Sequence, residues 1–193
     1  MKKTLLMLLL AVCFSMSGMS SKAEAAFEYA PVAFVLVDYS GNTKESEFLS
    51  WREQVRQAYY MPYYELIKNH EPDAVVRDYL KASSVKTNKL QEENLQEIAD
   101  KISAKVVVLL FINNYSERLV RSFGHFWHER GDLLQRVVVS ADIYIYKVTD
   151  GQFLKRKIRY VDTDDISLST AASDIVKYRL RNYVNEMEGR EQI

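Results

Sequence analysis

Two histidines three residues apart, His125 and His128, stand with Glu129 in the stretch GHFWHERG and are residue types that can hold a divalent metal. One ion would need both imidazoles. Residues three apart in a strand point to opposite faces, so the pair could share an ion only in an irregular or helical hairpin end. The zinc-protease signature places three residues between its histidines and a glutamate beside the first; here two residues intervene and the glutamate follows the second. His70, the one other histidine, has no sequence reason to lie nearby. A metal-dependent hydrolase is therefore the third of three readings, and no cofactor is expected. In the alternative, Phe123, Phe126 and Trp127 pack or project near a hairpin tip. With His128 they would form an exposed contact patch, because large aromatic side chains anchor interfaces.

Asp38 is the other candidate. It falls where the first expected strand ends, the place where open α/β sheets bind ligands. No phosphate-binding glycine pattern follows it, so an acid that starts the Ser40-Gly41 turn is the favoured reading. The chain has no Gly-x-Ser-x-Gly elbow to present a serine nucleophile. The basic run Lys155-Arg156-Lys157 with Arg159 could face anionic glycans or lipid headgroups. A solvated strand face explains it better, since Asp162, Asp164 and Asp165 follow within reach. No catalytic residue is assigned.

The elements that must position these residues begin with an address. Lys2 and Lys3, the apolar run from Leu5 to Val12 and the small-residue site Ala23-Glu24-Ala25 read as a secretory signal peptide, residues 1–25, ahead of one domain, residues 26–193. No segment has the roughly 20 apolar residues of a transmembrane helix. Taking Lys2, Lys3 and Lys22 against Glu24 from 26 basic and 26 acidic residues leaves a formal charge of −2, which speaks against nucleic acid as a partner. Cys13 lies in the leader, so the remaining chain has no disulfide or thiolate ligand. A membrane tether would follow only from lipidation of Cys13, and Val12 stands where that processing wants a small residue.

Pro31 to Tyr39, PVAFVLVDY, is apolar at almost every position and fits a strand covered on both faces, ending at Ser40-Gly41-Asn42. From Glu45, Phe48, Leu49, Arg52, Val55 and Tyr59 recur at helical spacing. Pro62 should kink or end that helix, with a further helical piece carrying Tyr63, Tyr64 and Leu66. Pro72 and Asp73 suit a helix start, with an edge strand as the alternative. Thr87-Asn88 is the expected cap of an amphipathic helix through Leu95, Ile98, Ala99 and Ile102. It leads to a second buried strand, KVVVLLFIN, parallel to the first. Leu133 to Val148 alternates, placing Arg136, Ser140, Asp142, Tyr144 and Tyr146 on a wet face. Asp150-Gly151 turns it into a return strand, QFLKRKIRYVD, and Ser116 to Trp127 should pair antiparallel with Leu133 onward. A terminal amphipathic helix starts near Ser167 or Ser169. The fold class is α/β with a mixed sheet: a parallel βαβ start, antiparallel hairpins after it, and helices packed on the sheet.

The segments FVLVDYSGN, AKVVVLLFIN and DIYIYKVTDGQFL, followed by that helix, resemble the α/β domain shared by the amino-terminal part of TolB, the curli-secretion lipoprotein CsgG and the lipoprotein activators of penicillin-binding proteins. The resemblance implies an extracytoplasmic bacterial envelope protein, in the periplasm or at the cell surface, that binds other proteins or assembles with itself and is not an enzyme. It brings no catalytic motif. The expected function is a non-catalytic accessory protein of the envelope. A small-ligand or glycan-binding domain using the strand ends near Asp38 and Asn113-Asn114 is the alternative.

Overall fold

The computed structural model describes residues 29–68, 70–121 and 133–190. Strand β1 (Ala30–Asp38) buries Val32, Phe34 on one face and Ala33, Val35 on the other, and a strand apolar on both faces needs a layer over each. It lies inside a five-stranded sheet of order β2-β1-β3-β4-β5. β2 (Tyr64–Leu66) and β3 (Val106–Arg121) flank β1 and run parallel to it. β4 (Leu133–Lys147) and β5 (Gln152–Asp165) continue the sheet antiparallel.

Parallel neighbours require crossovers. The first is α1 (Glu45–Ala58); the second holds α2 (Glu71–Ser83) and α3 (Glu92–Ile102). Phe48, Trp51 and Val55 of α1 share one face of the sheet with Ile175, Val176, Leu180 and Val184 of α4 (Ala172–Met187). The Trp51 indole N–H donates to the Ser173 carbonyl at 3.0 Å and joins these two helices. Val76 and Tyr79 of α2 and Leu95 and Ile98 of α3 cover the other face. The chain crosses the sheet one way over the first face and returns over the second, so both crossovers have the same hand, in keeping with the right-handed rule.

Four expectations need correction. Tyr64 and Leu66 are in a strand, not a helix: three residues cannot nucleate a helix, and β1 offers partners, with Ala30 N–H donating to Tyr63 O and Ile67 N–H to Val32 O. Thr87–Lys89 is a separate 3-10 turn, and α3 is capped at Gln91, whose N–H donates to Asn94 Oδ1. The terminal helix starts at Ala172 because Asp165 holds Ser167 in a turn and Glu117 accepts the Ala172 N–H at 2.5 Å. The face of β4 expected to be wet is dry at Asp142, Tyr144 and Tyr146, which α3 and Leu90 help to cover.

β3 runs well past the end of β1. Its register with β1 ends at Asp38↔Ile112, and its register with β4 slips between Ile112 and Asn114, so Asn113 is a bulge residue. Asn113 donates its amide to Asp142 Oδ2 at 2.7 Å, and Arg159 of β5 stands 3.4 Å from Oδ1. Asp142 is 1% exposed, so its charge depends on these partners. Beyond this point β3, β4 and β5 continue as a three-stranded extension. Replacing Arg159 with Ala should cost about 1–3 kcal/mol, because it strands a buried carboxylate; D142N/R159A should recover part of that loss in urea denaturation, and a double variant no more stable than R159A would refute the pairing.

Candidate functional site

At the strand ends, Asp38, Thr43, Lys44, Phe48, His70 and Arg77 line a cleft of ≈ 240 Å³. The Asp38 carboxylate is already committed. Its Oδ1 accepts from the Ser40 N–H at 2.7 Å and the Ser40 hydroxyl at 2.6 Å, and its Oδ2 accepts from the Thr43 N–H at 3.0 Å. Burial pushes its pKa up, but these hydrogen bonds outweigh burial and hold it below the ordinary 3.8. Asp38 thus folds the β1–α1 loop, the turn-forming role favoured from sequence.

His70, which sequence reasoning did not place, precedes α2 across this cleft. Its Nδ1 lies 3.0 Å from Asp73 Oδ2 and its ring stacks on Phe48 at 5.9 Å. The available signal was Pro72, which marks the helix start and so puts His70 at a strand-to-helix junction. Among the described residues no three His, Cys, Asp or Glu side chains gather as a metal site. Phe126, Trp127 and His128, with His125 and Glu129, lie outside the described residues, between the paired strand ends Arg121 and Leu133.

The second candidate is the sheet extension. On the face turned toward α1 and α4 it is clamped: the Tyr115 hydroxyl donates to Glu47 Oε1 at 2.6 Å, Asn42 donates to the Tyr115 carbonyl at 2.9 Å, and Trp51 meets the Tyr115 ring edge-on. Burial first, and then the neighbouring Glu47 carboxylate, drive the Tyr115 pKa well up. The opposite face carries Val120, Leu134, Val138 and Val161, none of which packs in either core layer. Val161 is 65% exposed.

Arginines lie among these apolar side chains. Arg118 and Arg136 are directly opposed across the β3–β4 ladder, and like charges so placed repel. Neither is ion-paired among the described residues, and Arg136 Nε is out of solvent without a hydrogen-bond partner there. Two unmatched guanidinium groups beside valines suit a partner that brings carboxylates and apolar side chains. Sequence alternation marked Arg136 as outward-facing; its pairing with Arg118 depended on a bulge that alternation does not reveal.

No protein-family model matches the chain, and no curated protein matches it in sequence. Among solved structures it is similar to the hypothetical protein CT253 from Chlamydia trachomatis, with 12% identity over 81% of this chain and 98% of that chain at a TM-score of 0.43. It is also similar to a PelC dodecamer from Paraburkholderia phytofirmans, with 13% identity over 84% and 90% at 0.42. For the lipoprotein GNA1162 from Neisseria meningitidis the values are 13% identity, 83%, 99% and 0.36. These are likenesses of layout and assign no residue a role. No helix among the described residues is long and apolar enough to cross a membrane.

Asp38→Ala should cost about 1–2 kcal/mol in urea denaturation, the usual range for losing a side-chain cap on backbone N–H groups. Because the folded pKa is lowered, the stabilisation by Asp38 is fully present above the ordinary carboxylate range and is lost as pH falls through the folded value. The gap between wild type and Asp38→Asn should therefore hold at neutral pH and close below about pH 4; a gap that widens in acid would contradict this role.

Proposed function

We propose that this chain is a non-catalytic accessory protein of the bacterial cell envelope that binds a protein partner, or a further copy of itself, through its exposed sheet. The observation that carries this reading is the face of the extension outside both core layers, where half-buried Val120, Leu134 and Val138 and exposed Val161 surround two arginines that have no ion-pair partner among the described residues. An exposed apolar patch edged by charge is the usual mark of a binding surface. The leader-like first 25 residues, the layout resembling TolB, CsgG and the penicillin-binding-protein activators, and the lack of a catalytic motif in the sequence support the same reading. The partner brings acidic and apolar side chains and binds without chemistry.

A ligand-binding alternative would use the cleft beside His70 and Arg77. The two are separated by photo-crosslinking in the native envelope, with the reactive group placed at Val161 or at Lys44. A discrete adduct is expected from position 161, and Val138→Asp or Arg118→Glu should reduce its yield about tenfold, a loss of about 1.4 kcal/mol. Adducts from Lys44 alone, or a position-161 adduct unaffected by both substitutions, would overturn the docking reading.

A further inference from the structure

We propose that β5 pairs antiparallel with β5 of a second copy, joining two sheets across a twofold axis near Tyr160. The pairing rests on the accessory-protein reading and names one partner within it. β5 is the last strand in the sheet order and runs for 14 residues with β4 as its sole strand neighbour in the described sheet. An open edge of that length is a template for another strand.

The charges on β5 decide which strand fits. Lys155, Arg156, Lys157 and Arg159 occupy its first half, and Asp162, Asp164 and Asp165 its second. Charge along an edge ordinarily prevents pairing. Here the sign reverses midway, so parallel pairing sets like charges opposite one another, which is destabilising. Antiparallel pairing centred near Tyr160 instead sets each basic half against an acidic half. With Tyr160 on the axis, Lys155 faces Asp165 and Arg156 faces Asp164. The two copies use the same surface, as a closed twofold dimer requires.

Two further observations favour this occupant. Among the described residues Lys157 pairs with no carboxylate, and Asp162, Asp164 and Asp165 pair with no cation. Among the described residues, therefore, no cation neutralises the acidic half. Beside the edge, Ile158, Tyr160, Ile175, Tyr178 and Tyr183 line a groove of ≈ 330 Å³ between β5 and α4. A twofold axis through Tyr160 puts the grooves of the two copies side by side on one face of the joined sheet. Tyr178, 53% exposed in one copy, gains apolar cover there.

The test is the mass of the exported protein by light scattering across the micromolar range, with two charge-reversed variants. Wild type should have twice the monomer mass. D164K/D165K makes the facing acidic positions basic and K155E/R156E makes the facing basic positions acidic, so each variant alone sets like charges opposite one another and should fall to the monomer mass. An equimolar mixture should return to the dimer mass, because each half again meets its opposite; that recovery also shows that both variants fold. A monomeric wild type, reversed variants that keep the dimer mass, or a mixture that stays monomeric would overturn the pairing. Crosslinking from Val161 in the envelope is read separately. A monomeric chain that still captures a partner there sinks the pairing alone, whereas an intact dimer whose position-161 adduct is only a second copy, unaffected by V138D and R118E, sinks the docking face alone.

Discussion

The carboxylate of Asp142, buried between strands, is the constraint on which the layout of this sheet depends. A charge removed from water must find opposite charge or hydrogen-bond donors. Asp142 finds both on the strands beside it, the Asn113 amide on β3 and the Arg159 guanidinium on β5. These contacts join three strands beside the last rungs of β1. Past that point the sheet has lost its fourth strand and keeps a helix layer on one face. The bulge at Asn113 allows β3 to continue there, because the extra residue turns its amide onto Asp142 while the ladder resumes at Asn114 and Ser140.

What holds the extension down is polar and local. Tyr115 reaches Glu47 at the start of α1, and Glu117 accepts the first N–H of α4. Each acid sits at a helix amino terminus, where the macrodipole favours negative charge. The clamp holds one face, and on the other Val120, Leu134, Val138 and Val161 join neither core layer among the described residues. The strand-end cleft, the usual place for a ligand in an open α/β sheet, serves the fold: Asp38 is consumed by the turn that starts the first crossover, and Asp73 by His70. Charges with no ion-pair partner among the described residues lie instead on the extension and on the β5 edge.

Much of this was legible in the chain. Continuous apolar runs at Val32–Val37 and Val106–Ile112 identify two parallel buried strands, and Asp150-Gly151 identifies the hairpin between β4 and β5. The role of Asp38 was also legible, because Ser40 and Gly41 follow it at turn spacing. The misread elements depend on contacts distant in sequence. Tyr64–Leu66 is a strand because β1 has a free side, and Tyr144 is dry because α3 and Leu90 lie over it. Asp142 carries polar-face periodicity, and nothing local distinguishes a wetted aspartate from one buried against an arginine 17 residues on. Arg118 and Arg136 become neighbours only once the bulge sets the register.

Beyond the bulge the sheet is a preformed face, ordered although one side joins no core layer among the described residues. Amide hydrogen exchange of the full chain tests it most directly. Residues 114–121 and 133–140 should show protection within about two orders of magnitude of residues 107–112, the level expected of a segment that opens only with its core neighbours. Exchange there at unfolded-chain rates, with residues 107–112 still protected, would show that the extension frays past Asn113 and presents no fixed surface, and the account would fail.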